Sequence, residues 1–287
     1  MINKKNEITF EEAIIFAEKY LEQKNIKSAK LNAELLLQFV CQISAIDLKM
    51  KKNEIISPQK FEHFYNLIEQ RATNKPLQYI LGYVDFYNVQ IKINENVLIP
   101  RPETEQLIDI IKNENIASKF VPETVLDICS GSGCISFALS KLYPNSKIDA
   151  IEISKNAIEL ALENREFLNI SNVNFINCDL KKYDFGNKKY DLIVCNPPYI
   201  STVDYKKLEP ELFFEPKIAL TDDEDGLSFY KFLSEKLNFI LNENGKIFFE
   251  CGNNQAEIIS NIFKKNNYSV NIFNDFSNIP RFLLVKK

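Results

Sequence analysis

From residue 101 onward the chain alternates short apolar runs with amphipathic stretches, and this alternation limits the fold more than any other feature of the sequence. The runs fall at 124–129, 147–152, 173–178, 190–195, 245–251, 269–273 and 281–285. The stretches between them carry helical spacing, the signature of βαβ units wound around a parallel sheet. Seven strands result. The last two are joined by a loop rather than a helix, so they are expected to be antiparallel neighbours, unlike the strands of an all-parallel dinucleotide fold. The reading is an α/β, Rossmann-like sheet.

Ahead of it, residues 9–73 repeat apolar side chains at helical intervals, as in Ala13, Phe16, Ala17, Tyr20 and Leu21, then Leu31, Leu35, Leu36, Phe39 and Val40. Ser57-Pro58 before Phe61, Phe64, Leu67 and Ile68 predicts another helix, with Ser57 as N-cap and Pro58 in the first turn. Residues 1–74 are therefore expected to form a small helical domain whose apolar stripes are bundle core. Residues 75–99 change texture: β-branched and aromatic alternation, broken at Asp85 and by a polar turn at Asn94-Glu95-Asn96, predicts a connector containing a β-hairpin. Residues 100–287 then form the α/β domain.

At 287 residues and 45% hydrophobic, the chain can bury a full core. No stretch approaches the roughly 20 apolar residues that span a bilayer, and nothing at the N-terminus reads as a leader, so a cytoplasmic protein is expected. Enzymes acting on nucleic acid usually carry a basic face; a net charge of −4 and a pI near 5.4 weigh against direct nucleic-acid binding. Cys41, Cys129, Cys134, Cys178, Cys195 and Cys251 lack C-x-x-C spacing, and His63 is the sole histidine. These facts argue against a metal site and a disulfide framework, leaving buried reduced thiols. They also exclude chemistry that needs a histidine in the α/β half, and His63 reads as a surface residue.

Three strand ends carry candidate ligand groups. The first strand, with Asp127, runs into Cys129, Ser130, Gly131, Ser132 and Gly133, small residues whose amides can approach a ligand at the carboxyl edge of the sheet. A glycine turn into a helix can also be purely structural. The second strand ends at Glu152, placed to accept from ribose hydroxyls. The third ends before Asp179 and Leu180, where the acid can accept from an adenine amino group and the leucine can cover the ring. Either acid can equally be a solvated strand end. The loop lacks G-x-G-x-x-G, which favours S-adenosylmethionine over a dinucleotide.

The fourth strand ends in Asn196-Pro197-Pro198-Tyr199. A proline pair stops the ladder and holds the chain extended, so that the Asn196 side-chain oxygen and the Pro197 carbonyl can both accept from one NH2 group while Tyr199 walls the acceptor plane. An amide nitrogen is a poor nucleophile, and gripping both N–H bonds leaves positioning and electrostatics to carry the catalysis.

On these motifs the sequence resembles the bacterial peptide chain release factor glutamine methyltransferases over nearly its whole length. Further matches are Pro76 to Gly82, Leu98-Ile99-Pro100-Arg101-Pro102-Glu103-Thr104-Glu105, Phe214-Glu215-Pro216, Asp225-Gly226-Leu227, and Glu250 with Gly252 and Gln255. The resemblance implies a seven-stranded class I methyltransferase domain, S-adenosylmethionine as cofactor, and the glutamine of a release factor's Gly-Gly-Gln motif as acceptor. The helical domain would help dock the factor. Asn196 and Pro197 would hold the acceptor amide, Asn196 would also border the cofactor, and Arg101, Glu103 and Glu105 would brace the cofactor pocket. Three positions depart from the family. Cys129 replaces the first loop glycine, which requires φ below zero or a local rearrangement; Cys251 follows Glu250; and Asn278 replaces a glycine. Two other readings remain open: methylation of an exocyclic amine of adenine or guanine, and a catalytically silent docking protein.

Overall fold

The structure, a computed structural model, describes residues 7–287. These divide into two units, one formed by the chain up to Gly82 together with Pro210–Phe214, the other by Tyr83–Glu209 with Glu215–Lys287.

The first unit contains α1 (Phe10–Gln23), α2 (Ala29–Cys41), α3 (Ala45–Met50), α4 (Pro58–Ala72) and α5 (Leu77–Leu81). Thr9 and Glu12 close a capping box on α1, and Ser57 caps α4 as its sequence predicts, accepting from the Lys60 amide at 3.4 Å. Ala13, Ala17 and Leu21 pack with Leu36, Leu37, Phe64 and Ile68 in one core. His63 is exposed on α4. Arg71, 4% exposed, donates to Asn32 at 2.7 Å and to Glu211 at 2.8 Å, which ties the 210–214 segment to this unit.

The second unit opens with the hairpin β1 (Tyr83–Phe86) and β2 (Val89–Lys92). Its turn is not at Asn94-Glu95-Asn96 and its strand is not broken at Asp85, which pairs with Gln90. The chain reverses at Tyr87-Asn88, with φ of 44° and 63°; two positive values suit the tight hairpin turn that matches strand twist. There follow α6 (Pro102–Ala117), β3 (Thr124–Ile128), α7 (Cys134–Leu142), β4 (Lys147–Glu152), α8 (Lys155–Phe167), β5 (Val173–Asn177), β6 (Tyr190–Cys195), α9 (Thr202–Tyr205), α10 (Lys217–Leu220), α11 (Ser228–Ile240), β7 (Leu241–Glu250), α12 (Ala256–Lys265), β8 (Ser269–Asn274) and β9 (Pro280–Lys286).

The seven-stranded sheet has the order β5-β4-β3-β6-β7-β9-β8. Its first five strands run parallel, while β9 is antiparallel to both β7 and β8. Strand β7 starts at Leu241, earlier than the apolar run suggests, because α11 passes directly into it and Leu241 already pairs with Tyr190. Strand order reverses between β3 and β6. An open α/β sheet offers its ligand crevice at the carboxyl ends of the strands flanking such a switch.

Candidate functional site

Registers set which strand ends meet. Ile128 pairs with Ile151 on one side and Cys195 on the other, and Cys195 pairs with Phe249. The next residue of each strand is therefore level with its neighbours. Glu152, Cys129, Asn196 and Glu250 form one row across β4, β3, β6 and β7.

Asp127 is fully buried under this row. Its Oδ2 accepts from Ser136 Oγ at 2.6 Å, while Oδ1 has no partner. Burial pushes its carboxyl up to about 7, against the pull of the Ser136 hydrogen bonds. Cys129 corrects one expectation: its φ is +62°, so it takes the left-handed conformation of the glycine it replaces instead of avoiding it. The Cys129 and Ser130 amides both donate to the Ile151 carbonyl, at 3.0 and 3.2 Å, and this double anchor on β4 holds the strained residue. All six thiols are free, but only Cys41, Cys195 and Cys251 are buried; Cys129, Cys134 and Cys178 are half-buried. Asn278, with φ of +64°, takes the left-handed conformation its residue type tolerates.

Gly131 donates its amide to Glu152 Oε2 at 3.0 Å, and Ser154 donates to Oε1 at 2.8 Å. Burial raises the Glu152 carboxyl while these amides pull it down. Each oxygen keeps a second lone pair for a ligand. A Cβ on Gly131 would meet nothing within 4 Å, so the loop faces open space; one on Gly133 would strike Phe137 at 2.7 Å and Phe175 at 2.8 Å, so that glycine serves helix packing. Asp179 caps the single turn Leu180–Lys182, accepting from the Lys181 amide at 3.0 Å. Leu180 is 4% exposed and packs into the sheet core with Ile128 and Ile151.

Asn196 is half-buried and Pro197 and Pro198 are buried. Asn196 Nδ2 reaches Thr104 Oγ1 at 3.5 Å, and Thr104 Oγ1 donates to Glu250 Oε2 at 2.8 Å. The Tyr199 hydroxyl donates to Glu250 Oε1 at 3.3 Å. Glu250 is 1% exposed; burial raises its carboxyl, opposed by the Thr104 hydrogen bond and the nearby Arg281. The Tyr199 carbonyl accepts from Gln255 Nε2 at 2.8 Å.

The charges around Pro102 separate into different roles. Arg101 pairs with buried Glu215, which also accepts from the Ile99 amide at 3.0 Å. Glu103 and Glu105 lie in the first turn of α6, where acids suit the helix dipole, and among the described residues they make no hydrogen bond or ion pair. Thr104, between them, turns inward and donates to Glu250. Sequence reasoning missed Ser136, and left Thr104 in its motif without a role, because a buried hydroxyl in a helix has no signature of its own. Glu250 and Glu215 stood within quoted motifs but without a role.

The site is rich in acceptors. Asp127 Oδ1 and the Ser130 hydroxyl are buried without partners, and Arg101 and Arg281 are committed to Glu215 and Asp275. Such a floor fits a ligand that brings its own positive charge and N–H or O–H donors, as S-adenosylmethionine does. It fits a pyrophosphate poorly, since two carboxylates would repel it.

A family model described as the PrmC N-terminal domain matches residues 12–82, and one described as a methyltransferase domain matches residues 121–279. The chain is 38% identical over 271 residues to the release factor glutamine methyltransferase of Fusobacterium nucleatum, covering 93% of this chain and 76% of that one. It is 38% identical over 258 residues to the protein of the same name from Thermodesulfovibrio yellowstonii, covering 89% and 91%. Among solved structures, the hMettl16 catalytic domain in complex with MAT2A 3'UTR hairpin 6 superposes with a TM-score of 0.56 at 18% identity, over 77% of this chain and 82% of that one; the likeness concerns the fold.

Proposed function

Because the chain belongs to the release factor glutamine methyltransferases, we propose that it methylates the side-chain amide nitrogen, N5, of the glutamine in a release factor's Gly-Gly-Gln motif, with Asn196 and Pro197 as the residues that grip that amide. The enzyme is an S-adenosylmethionine-dependent protein-glutamine methyltransferase. The observation that carries the site assignment is the row at the carboxyl edge, which puts Asn196 one strand away from the Cys129 to Gly133 loop. Cofactor and acceptor groups thereby share one crevice.

S-adenosylmethionine supplies an electrophilic methyl group on a sulfonium. Asp127 and the loop of Cys129, Ser130, Gly131, Ser132 and Gly133 would hold its amino-acid end, Glu152 its ribose, and Asp179 with Leu180 its adenine. Asn196 Oδ1 and the Pro197 carbonyl accept the two amide protons of the glutamine, Pro198 fixes the loop, and Tyr199 walls the acceptor plane. The oriented nitrogen needs no strong base, since an N-methylated amide cation loses its proton to water.

Residues 1–74 are proposed to dock the factor, 75–99 to connect, and 100–287 to carry the chemistry; the groups assigned to the cofactor and the acceptor amide all lie beyond residue 100. The chain's acidity favours a protein rather than a nucleic-acid surface as its substrate, and a substrate of translation termination supports a cytoplasmic reading. Among the described residues no helix is long and apolar enough to cross a membrane. Mass spectrometry of a release factor incubated with enzyme and cofactor tests the acceptor: a 14 Da gain (roughly one CH2) on the motif glutamine supports the reading, and a gain elsewhere overturns it. The same assay on a Gly-Gly-Gln peptide separates docking from chemistry.

Two predictions concern the cofactor. Glu152→Ala removes charge-assisted hydrogen bonds of about 1.5 to 3 kcal/mol, so binding of S-adenosylmethionine should weaken about tenfold or more by calorimetry; normal binding with slow turnover would contradict the assignment.

Asp127 makes affinity depend on pH. Its folded carboxyl lies near 7, above the ordinary 3.8, so in the ligand-free protein its contribution to stability is present below that lower value and is lost as pH rises through about 7. A cationic ligand at Oδ1 favours the ionised form. Affinity should therefore rise as pH increases through about 7, and Asp127→Asn should flatten the profile; an equal slope in that variant would show another group titrating.

A further inference from the structure

We infer that Thr104 and Glu250 act as positioning residues that fix which way the Asn196 carboxamide faces. The inference rests on the proposed role of Asn196 and adds the device that makes that role possible. A carboxamide is nearly symmetric in shape, yet its two ends are opposite in hydrogen-bonding character. If Asn196 turned over, its NH2 would face the NH2 of the acceptor and the grip would become a repulsion. Something must choose between the two orientations.

The choice is made by a chain of hydrogen-bond polarity. Glu250 receives a hydroxyl on each carboxylate oxygen, so both of its oxygens act as acceptors. The Thr104 hydroxyl therefore spends its single proton on Glu250 Oε2, at 2.8 Å. Tyr199 occupies the other carboxylate oxygen at 3.3 Å, so neither oxygen is left unpaired. With its proton committed, Thr104 Oγ1 can offer Asn196 only lone pairs. The NH2 end of Asn196 is the end that faces it, at 3.5 Å, and Oδ1 is left for the acceptor amide. The contact is long in the free enzyme; hydrogen bonds of this kind commonly shorten when substrate closes the site.

The placement suits the task. Thr104 is 2% exposed and Glu250 1% exposed, so water does not compete for the relay. The strand register puts Glu250 level with Asn196. Glu215 fixes the entry to α6 by holding Arg101 and the Ile99 amide, and with it the height of Thr104. Near Glu250 the charged and titratable groups are Arg281, Tyr199, Glu103, Tyr230, Cys134 and Cys251. Arg281 is the cation among them, and it opposes the upward push of burial on the Glu250 carboxyl.

The test is a double-mutant cycle on the full-length enzyme, with a release factor as substrate and cofactor affinity measured alongside. Thr104→Val keeps the shape and removes the hydroxyl. It should lower kcat about tenfold, the scale of one oriented hydrogen bond, while leaving cofactor affinity within twofold. Thr104→Ser, which restores the hydroxyl, should recover most of the rate. In an Asn196→Ala background the valine substitution should have no further effect, because no carboxamide remains to be oriented. A parental kcat in Thr104→Val, or full additivity of the two substitutions, would overturn the relay. If Thr104→Ser were as slow as Thr104→Val, packing would be the cause and the relay would likewise be rejected. Near-parental turnover of Asn196→Ala alone would instead reject the underlying amide grip.

Discussion

Asn196→Ala is expected to lower methylation of the release factor by roughly two to three powers of ten while binding S-adenosylmethionine within a few-fold of the parent. The amide nitrogen of glutamine is nearly inert because its lone pair is delocalised into the carbonyl. Orientation is what the site supplies. In the proposed grip Asn196 Oδ1 and the Pro197 carbonyl hold the two protons, and removing one of them lets the nitrogen rotate away from its productive direction. Apart from Asn196 itself, the groups assigned to the cofactor lie at the ends of β3 and β4 and after β5, so the cofactor should bind almost unchanged. Asn196→Asp keeps an acceptor of similar reach and should retain part of the rate. Single-turnover kinetics with a calorimetric binding curve measure both effects, and a rate near the parent for Asn196→Ala would reduce the motif to a structural turn.

Gly226→Ala should be comparably damaging although it touches no reacting group. A Cβ at this position would lie 2.1 Å from the Tyr199 carbonyl oxygen and 2.8 Å from Gln255 Nε2. Its φ of +78° is also one that an alanine tolerates poorly. Asp222 makes the approach possible by accepting from the Gly226 and Ser228 amides, which draws the loop against the Asn196 to Tyr199 segment. Relieving the clash would displace that segment by an ångström or so, and a displacement of that size in a positioned site costs about a hundredfold in rate. Circular dichroism should report a folded protein, because the clash is confined to two loops. Retention of a parental kcat would mean that this segment tolerates movement and that its rigidity is not part of catalysis.

The two substitutions show different depths of reading. Asn196 announces itself in sequence, since a proline pair after a buried strand leaves few alternatives for the residue before it. Gly226 stands in a quoted motif, but its purpose appears only when the Tyr199 carbonyl is found against it. The hairpin turn was misplaced for a related reason. Asn94-Glu95-Asn96 has turn-forming chemistry, whereas Tyr87 is a poor residue for positive φ and is held there by the strands it joins.

By itself the sequence determined the local chemistry of this protein: seven apolar runs, a loop of small residues after the first, carboxylates after the second and third, and an asparagine with two prolines after the fourth. Periodicity and turn chemistry are local, so they can be read along the chain. Only the tertiary structure decided which of these ends are neighbours. Strand order and register are fixed by packing between segments far apart in sequence; no spacing in the chain foretells that Glu250 of β7 lies beside Asn196 of β6, or that Thr104, 146 residues from Glu250, turns inward to join them.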